Sequence, residues 1–171
     1  MPKFEIGELV LSPISEYCGI DTVTGITINN DNQVIYTINN GNCERTEFEE
    51  YLKPYARKVK YPAIYLHFKE KYYATMGISK PAKREFLKEI IDKDCELIVT
   101  KYTESPNTNI YIYKYKDRYY HNDSKKEDLV LYKSLYDESS AYSRGYGMFL
   151  SKVDKLKYPE VKQEYHFELV K

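Results

Sequence analysis

The chain has 171 residues, and its 26 lysines and arginines balance 26 aspartates and glutamates, so its formal net charge is zero. This balance disfavours a protein that coats nucleic acid, because neutralising phosphates takes a surplus of basic residues. No apolar run reaches membrane-spanning length, and the three cysteines have no C-x-x-C spacing, which disfavours both a zinc knuckle and a disulfide framework. We therefore expect a cytoplasmic protein without a membrane segment.

Charge and tyrosine are unevenly distributed along the chain. Residues 1–58 hold 5 Lys/Arg and 9 Asp/Glu, whereas residues 59–171 hold 21 and 17, so an anionic ligand is expected in the second part. Of the 20 tyrosines, 16 follow residue 58, and there is no tryptophan. Tyrosine suits half-buried strand faces and also flat ligands, since its ring stacks while its hydroxyl hydrogen-bonds. Both interpretations stay open for any single tyrosine.

The first 52 residues predict a meander of short strands. Asn-rich turns at 29–32 and 39–42 separate the strands, because such residues tolerate positive φ. The segments FEIGELV (4–10) and GIDTVTGI (19–26) resemble the opening of SH3-like small barrels. Thr46 and Glu49 fit a capping box, which predicts one helical turn at the end of the barrel. The segment 53–62 has a proline near each end and predicts an extended linker.

The second part continues with strands and one helix. Residues 63–78 predict two strands around a Lys-Glu turn. Residues 79–92 predict an amphipathic helix with Pro81 in its first turn, because apolar residues recur there at helical spacing. Residues 95–102 and 109–115 predict a hairpin whose second strand projects three tyrosines from one face.

Three blocks of the second part resemble one family. They are HFK at 67–69 with Tyr73, Gly77 and Ile78, LVLYKSLY at 129–136, and YSRGYGMF at 142–149. Together they resemble the domain-of-unknown-function 1653 family, which implies a small β domain and no activity. Gly145 stands where that family has proline, which predicts a loosened loop around Arg144. Residues 79–120 are interpreted as an insertion between the first and second blocks.

The predicted fold is mainly β, a β-rich α+β class with two small SH3-like or related β-barrel modules. Residues 1–58 form the first module and residues 59–171 the second. The second module carries one inserted helix and an extra tyrosine-rich hairpin near 79–120.

Arg144 is the central residue of the predicted ligand site. A planar cation between Tyr142 and Tyr146 suits a phosphate next to a base. The alternative is an arginine that fastens its own loop through backbone carbonyls or a carboxylate such as Asp137. The remaining members of the predicted ligand set are Tyr136, Lys133, His67 and Lys69. For His67, an anion beside Lys69 and a structural hydrogen bond across strands are both open.

The sequence predicts no enzyme, no cofactor and no metal. It contains no Ser/Cys-His-acid arrangement in a recognisable local context and no glycine-rich phosphate loop after a strand. His121 and His166 lie far along the chain from His67, and no spacing joins the three into a metal site.

The leading functional hypothesis is non-enzymatic capture of a small anionic, base-containing ligand such as a signalling nucleotide. A chain rich in Asn, Lys, Ile and Tyr is typical of an AT-rich phage or mobile element, so the concrete hypothesis is a phage sponge protein in the host cytoplasm that acts against host defence signalling. One alternative is a protein-binding inhibitor or adaptor, and another is weak nucleic-acid binding. The protein-binding residues would be Tyr111, Tyr113, Tyr115, Tyr119 and Tyr120. A homo-oligomer is left open.

Overall fold

The first 54 residues form an antiparallel sheet. The structure is a computed structural model that describes residues 1–41, 43–105, 107–136 and 140–170, without the side chains of residues 16 and 17. The five strands of the first sheet follow the order β4-β3-β2-β1-β5. They are β1 (Leu9–Leu11), β2 (Asp21–Ile28), β3 (Val34–Asn39), β4 (Glu44–Phe48) and β5 (Lys53–Pro54), with a short helix α1 (Ser15–Cys18) after β1 and a 3-10 turn (Glu49–Tyr51) after β4. The order is compatible with an SH3-like barrel, which stays a prediction.

The predicted capping box near Thr46 was wrong. Thr46 lies inside β4, and the turn that follows begins at Glu49 with no side-chain cap. The Glu49 carboxylate instead accepts hydrogen bonds from the backbone N–H of Lys3 at 2.8 Å and from the Tyr36 hydroxyl at 2.6 Å. The residue expected to cap a helix therefore ties the N-terminus to the core of the first sheet.

The second unit contains a closed six-stranded barrel. Its elements are β6 (Ala63–His67), β7 (Lys71–Ala82), α2 (Arg84–Ile91), β8 (Glu96–Tyr102), β9 (Asn109–Tyr115), β10 (Arg118–Asn122), β11 (Leu129–Ser134), β12 (Ala141–Gly145), α3 (Tyr146–Phe149) and β13 (Phe167–Leu169). The barrel runs β7-β11-β12-β8-β9-β10 and closes because β10 also pairs with β7. The strands β6 and β13 extend outward from β7. The mainly β fold class is confirmed.

Alternation along the strands separates the barrel interior from its outer face. The interior cluster contains the buried residues Tyr102, Ile110, Ile112, Leu129, Leu131 and Ala141. The residues that alternate with them in β11, Val130 and Tyr132, face outward into a second cluster. Leu9 of β1 and Ile20, which directly precedes β2, belong to that second cluster, so the two units share a core. The division at residue 58 stays a prediction.

The linker is ordered by contacts with the second unit. The Arg57 guanidinium stacks on the Tyr165 ring at 3.5 Å from its centroid and donates to the Leu150 carbonyl at 2.8 Å. The Tyr55 hydroxyl donates to the same carbonyl at 3.3 Å. These contacts fit the extended connection that the two prolines predict.

Two predictions about residues 79–120 need correction. The helix begins at Arg84 rather than near Ser79, because β7 continues to Ala82 and pairs there with β10. The tyrosine-rich hairpin is not an addition to a barrel, since β8 and β9 are two of its six strands. None of the helices in the described part of the chain is long and apolar enough to cross a membrane.

Candidate ligand-binding site

The strand register brings Arg144 and several aromatic rings to the outer face of the barrel. In β12, Tyr142 and Arg144 are two residues apart and therefore share a face. Tyr142 lies directly opposite Tyr132 of β11, and Arg144 lies opposite Val130. Beyond β7, Phe167 of β13 pairs with His67 of β6. We call the group Arg144, Tyr132, Tyr142, Tyr73, His67 and Phe167 the Arg144 site.

The rings of the Arg144 site form one continuous cluster. Tyr132 and Tyr142 stack with their centroids 5.7 Å apart, and Tyr132 meets Phe167 edge to face at 5.4 Å. Phe167 also contacts Tyr73 at 5.8 Å and His67 at 4.9 Å. Tyr132 and Phe167 are buried, whereas Tyr73, Tyr142 and His67 are only partly buried. Solvent therefore reaches one side of this aromatic cluster.

The Arg144 guanidinium lies against this cluster and has no opposite charge as a partner among the described residues. Its central carbon is 5.8 Å from the centroid of the Phe167 ring. In the described part of the chain its buried Nε has no hydrogen-bond partner, and no carboxylate there forms an ion pair with Arg144. A cation over an aromatic face gains about 0.5 to 2 kcal/mol, whereas an unpaired charge costs several kcal/mol when it leaves water. An anion at this position would offset that cost.

The two histidines nearest Arg144 are neutral at physiological pH. Burial, followed by the charge of Arg144, lowers the pKa of His67 to about 4, and the same two causes lower the pKa of His166 to about 4. The His67 Nδ1 accepts the backbone N–H of Lys69 at 3.2 Å, which leaves the proton on Nε2. His67 therefore offers a neutral N–H donor.

The structure brings only part of the predicted ligand set together. Tyr142 and His67 join Arg144. The Tyr146 hydroxyl accepts the backbone N–H of Val59 at 2.9 Å and thereby fastens the linker. Lys133 follows Tyr132 in β11 and so lies on the opposite face of the sheet from Arg144.

The other two predicted residues lie at the periphery. Tyr136 is 63% exposed. Lys69 lies in the exposed turn after β6, with its Nζ 5.8 Å from the Phe68 ring centroid, and its charge adds to the lowering of the His67 pKa. Asp137, the alternative partner of Arg144, lies outside the described residues.

The predicted loosened loop at Gly145 was wrong. Arg144 belongs to β12, and Gly145 is the last residue of that strand. A Cβ at Gly145 would lie 2.6 and 2.7 Å from the two carboxylate oxygens of Glu127, so glycine is required by a close approach rather than by flexibility. The Gly145 N–H also donates to Glu104 Oε1 at 2.8 Å.

Sequence reasoning missed Tyr132, Tyr73 and Phe167 as members of the site. The alternation of Tyr165, Phe167 and Leu169 predicts a closing strand but not its neighbour. Phe167 becomes a site residue because β13 pairs with β6, and no local pattern specifies that pairing. The sequence did contain one signal for these rings, namely the tyrosines Tyr132 and Tyr142 in the two segments that form the strands at Arg144.

The tyrosines of the protein-binding alternative differ in exposure. Tyr111 is 52% exposed, and the other four are partly buried. Tyr120 packs edge to face on Phe86 of α2 at 5.0 Å, and Tyr119 lies against Gly77. Within the described ranges, no group of three or more His, Cys, Asp or Glu residues is placed to hold a metal ion.

Comparison with known proteins gives one match. Residues 110–168 match the family described as protein of unknown function (DUF1653), which confirms the resemblance for this C-terminal segment. The matched segment contains Arg144 and three rings of the Arg144 site, those of Tyr132, Tyr142 and Phe167. Tyr73 and His67 lie outside it. Residues 110–120 lie inside the match, which corrects their assignment to an insertion, and the block at 67–78 is not part of it. No curated protein and no solved structure matches the chain.

Proposed function

We propose that this protein is a non-enzymatic binding protein that captures a small anionic, base-containing ligand, such as a signalling nucleotide, at the Arg144 site. The observation that carries the proposal is the partly buried guanidinium of Arg144, which has an unpartnered Nε and no carboxylate partner among the described residues. A phosphate would supply the missing charge.

The chemistry of the site suits both parts of such a ligand. An arginine presents several N–H donors in one plane and binds phosphate oxygens through charge-assisted hydrogen bonds. The partly buried rings of Tyr73 and Tyr142 offer faces and edges against which a base can pack. The His67 N–H can donate to a phosphate oxygen or to a base without adding charge.

The serine–histidine pair in the barrel offers no support for a catalytic alternative, because it has no access to a substrate. The Ser79 hydroxyl and His121 Nδ1 are 2.7 Å apart, and both residues are fully buried. His121 Nε2 lies 3.0 Å from the carbonyls of Lys125 and Glu127, so it donates a hydrogen bond to one of them. Nδ1 therefore accepts a hydrogen bond from the Ser79 hydroxyl. Burial lowers the pKa of His121 to about 4. Such a pair supports a structural hydrogen bond between β7 and β10.

The biological role that we propose for this binding is sequestration of the nucleotide. A phage-encoded protein that binds a host signalling nucleotide without converting it would act as a sponge in the host cytoplasm. Binding without turnover is the property that this role requires.

Calorimetry with a panel of mono-, di- and cyclic nucleotides tests the proposal. We expect at least one nucleotide to bind and Arg144→Gln to weaken it about tenfold or more, because charge-assisted hydrogen bonds contribute about 1.5 to 3 kcal/mol. Arg84→Gln on the exposed start of α2 makes the same charge change and serves as the control. The proposal fails if no nucleotide binds, or if Arg144→Gln binds like the control while thermal unfolding shows both variants folded.

A second candidate function is protein binding through the outer face of β8 and β9. Leu97, Val99 and Tyr111 are each about half exposed, and Val99 pairs directly with Tyr111 across the two strands. Tyrosine is enriched among interface hot spots, and the exposed Leu97 and Val99 side chains add apolar surface around Tyr111. A stoichiometric protein partner that is lost in a Tyr111→Ala/Tyr113→Ala variant would favour this function over nucleotide capture.

A further inference from the structure

Strand β7 has an unpaired stretch on one edge. On that edge β6 pairs with β7 as far as Thr75, and β10 begins to pair at Ser79. Among the described strands, none pairs with residues 76–78 on that edge. A cleft of about 460 Å³ lies at this gap, between Tyr61 just before β6 and the start of β10.

The size of the gap favours a small molecule over an added peptide strand as its occupant. A strand advances about 3.3 Å per residue, so an edge of three residues is roughly 10 Å long. An added peptide strand would run into β6 at one end and β10 at the other. A cleft of about 460 Å³ lies within the range of small-molecule and cofactor sites.

The charges at the cleft favour an anion. Lys114, Asp117 and Arg118 are among the lining residues of the cleft, and among the described residues neither Lys114 nor Arg118 forms an ion pair. Lys80 also lines the cleft but is paired with Asp128. Apart from the paired Lys80, the lining therefore contains two cations, Lys114 and Arg118, and one carboxylate, Asp117.

Aromatic rings are part of the lining of the cleft. Tyr61, which is 52% exposed, and Tyr119 both line the cleft. A Cβ at Gly77 would lie 2.6 Å from the Tyr119 ring, so the glycine lets that ring lie directly against the strand. The Lys114 Nζ is 5.8 Å from the Tyr119 centroid, which places a cation next to the ring.

The tight turn between β9 and β10 fixes the backbone position of the charged residues on either side of it. Lys116 and Asp117 are its two central residues and both have positive φ, at 49° and 61°. Two such residues form the tight hairpin whose twist matches that of its strands. Arg118 directly opposes Tyr115 at the start of the pairing, so its backbone position is fixed by the ladder.

We infer that this cleft is a second ligand site, for a small molecule that combines a planar ring with a phosphate, and that Lys114 and Arg118 bind the phosphate while Tyr61 and Tyr119 contact the ring. The unpaired edge at 76–78 offers backbone groups to the polar edge of such a ring. The inference does not rest on the proposed function, because the cleft shares no residue with the Arg144 site.

Calorimetry with the four common nucleoside 5′-monophosphates, and with inorganic phosphate, tests the inference. The expected result is that at least one monophosphate binds in the millimolar range or tighter, and that Lys114→Gln/Arg118→Gln weakens it about tenfold or more. Tyr61→Ala should weaken the monophosphate but not inorganic phosphate. Arg84→Gln/Lys88→Gln on α2 is the matched control, since it removes one arginine and one lysine from an exposed surface.

Two further outcomes separate this site from the Arg144 site. Arg144→Gln should leave binding at the cleft unchanged, so the two sets of variants report on different sites. The inference is overturned if none of the monophosphates binds at millimolar concentration, if the double variant binds like its control, or if inorganic phosphate binds as tightly as the monophosphates.

Discussion

Glu127 is a buried carboxyl group whose ionisation should change the stability of the fold. It is 2% exposed, and neither of its carboxylate oxygens has a hydrogen-bond partner in the described part of the chain. Burial first, and then the charge of Glu104, raises the pKa of Glu127 from 4.5 to about 8. The folded protein therefore holds a proton on Glu127 at neutral pH.

The sign of the pH effect follows from this proton. The folded state binds it more tightly than the unfolded chain does, so the stabilising contribution is fully present below about pH 4.5 and is lost as pH rises to about 8. At 1.36 kcal/mol per pH unit, the loss amounts to roughly 4 to 5 kcal/mol. Glu127→Gln keeps the shape and cannot ionise, so it should remove this dependence.

Urea unfolding followed by circular dichroism measures the effect. Relative to wild type, the free energy of unfolding of Glu127→Gln should rise by several kcal/mol between about pH 5 and about pH 8.5. Glu89→Gln, on the exposed side of α2, is the control and should show no such trend. The three histidines with a lowered pKa titrate in both proteins, so their effect cancels in the difference. A difference that stays constant with pH would refute a protonated Glu127.

Two substitutions test how the first sheet is held. Gly147→Ala should lower the free energy of unfolding by about 1 to 3 kcal/mol, because its Cβ would lie 2.7 Å from the Ile20 carbonyl oxygen, which belongs to backbone; thermal unfolding that matches wild type would contradict this. Arg45→Met should lower it by about 3 to 5 kcal/mol, because it leaves the fully buried Asp21 carboxylate without its 2.5 Å partner. Chemical denaturation should show the Arg45 variant recovering part of this loss when Asp21→Asn is added, and no recovery would show that the pair is not coupled.

Periodicity predicted those elements whose pairing partners are near in sequence. The alternation of residues 109–115 predicts which side chains share a face, and Ile110 and Ile112 are indeed inside the barrel. The helix at 84–91 is also predicted, but not its start. Pro81 is a common first-turn residue of helices, yet here it lies opposite His121 in the β7–β10 pairing. That long-range pairing overrides the local preference.

The candidate site was predicted less completely, because its members come from distant strands. Arg144 and Tyr142 were found from their own segment. Phe167 and His67 meet because β13 adds to β6, on the far side of β7 from Arg144. The cleft residues Lys114 and Arg118 carried no signal, since a lysine and an arginine near a turn are common on any protein surface.

Glu127 and Arg144 do not form an ion pair, although Glu127 lies next to Gly145, the residue that follows Arg144. Alternation along β12 explains this. Arg144 projects to the outer face with Tyr142, whereas a side chain at Gly145 would point toward Glu127 on the other face. Each charge must then be compensated separately. A proton neutralises Glu127, whereas the guanidinium of Arg144 keeps its charge, which is why the ligand that we propose for Arg144 is an anion.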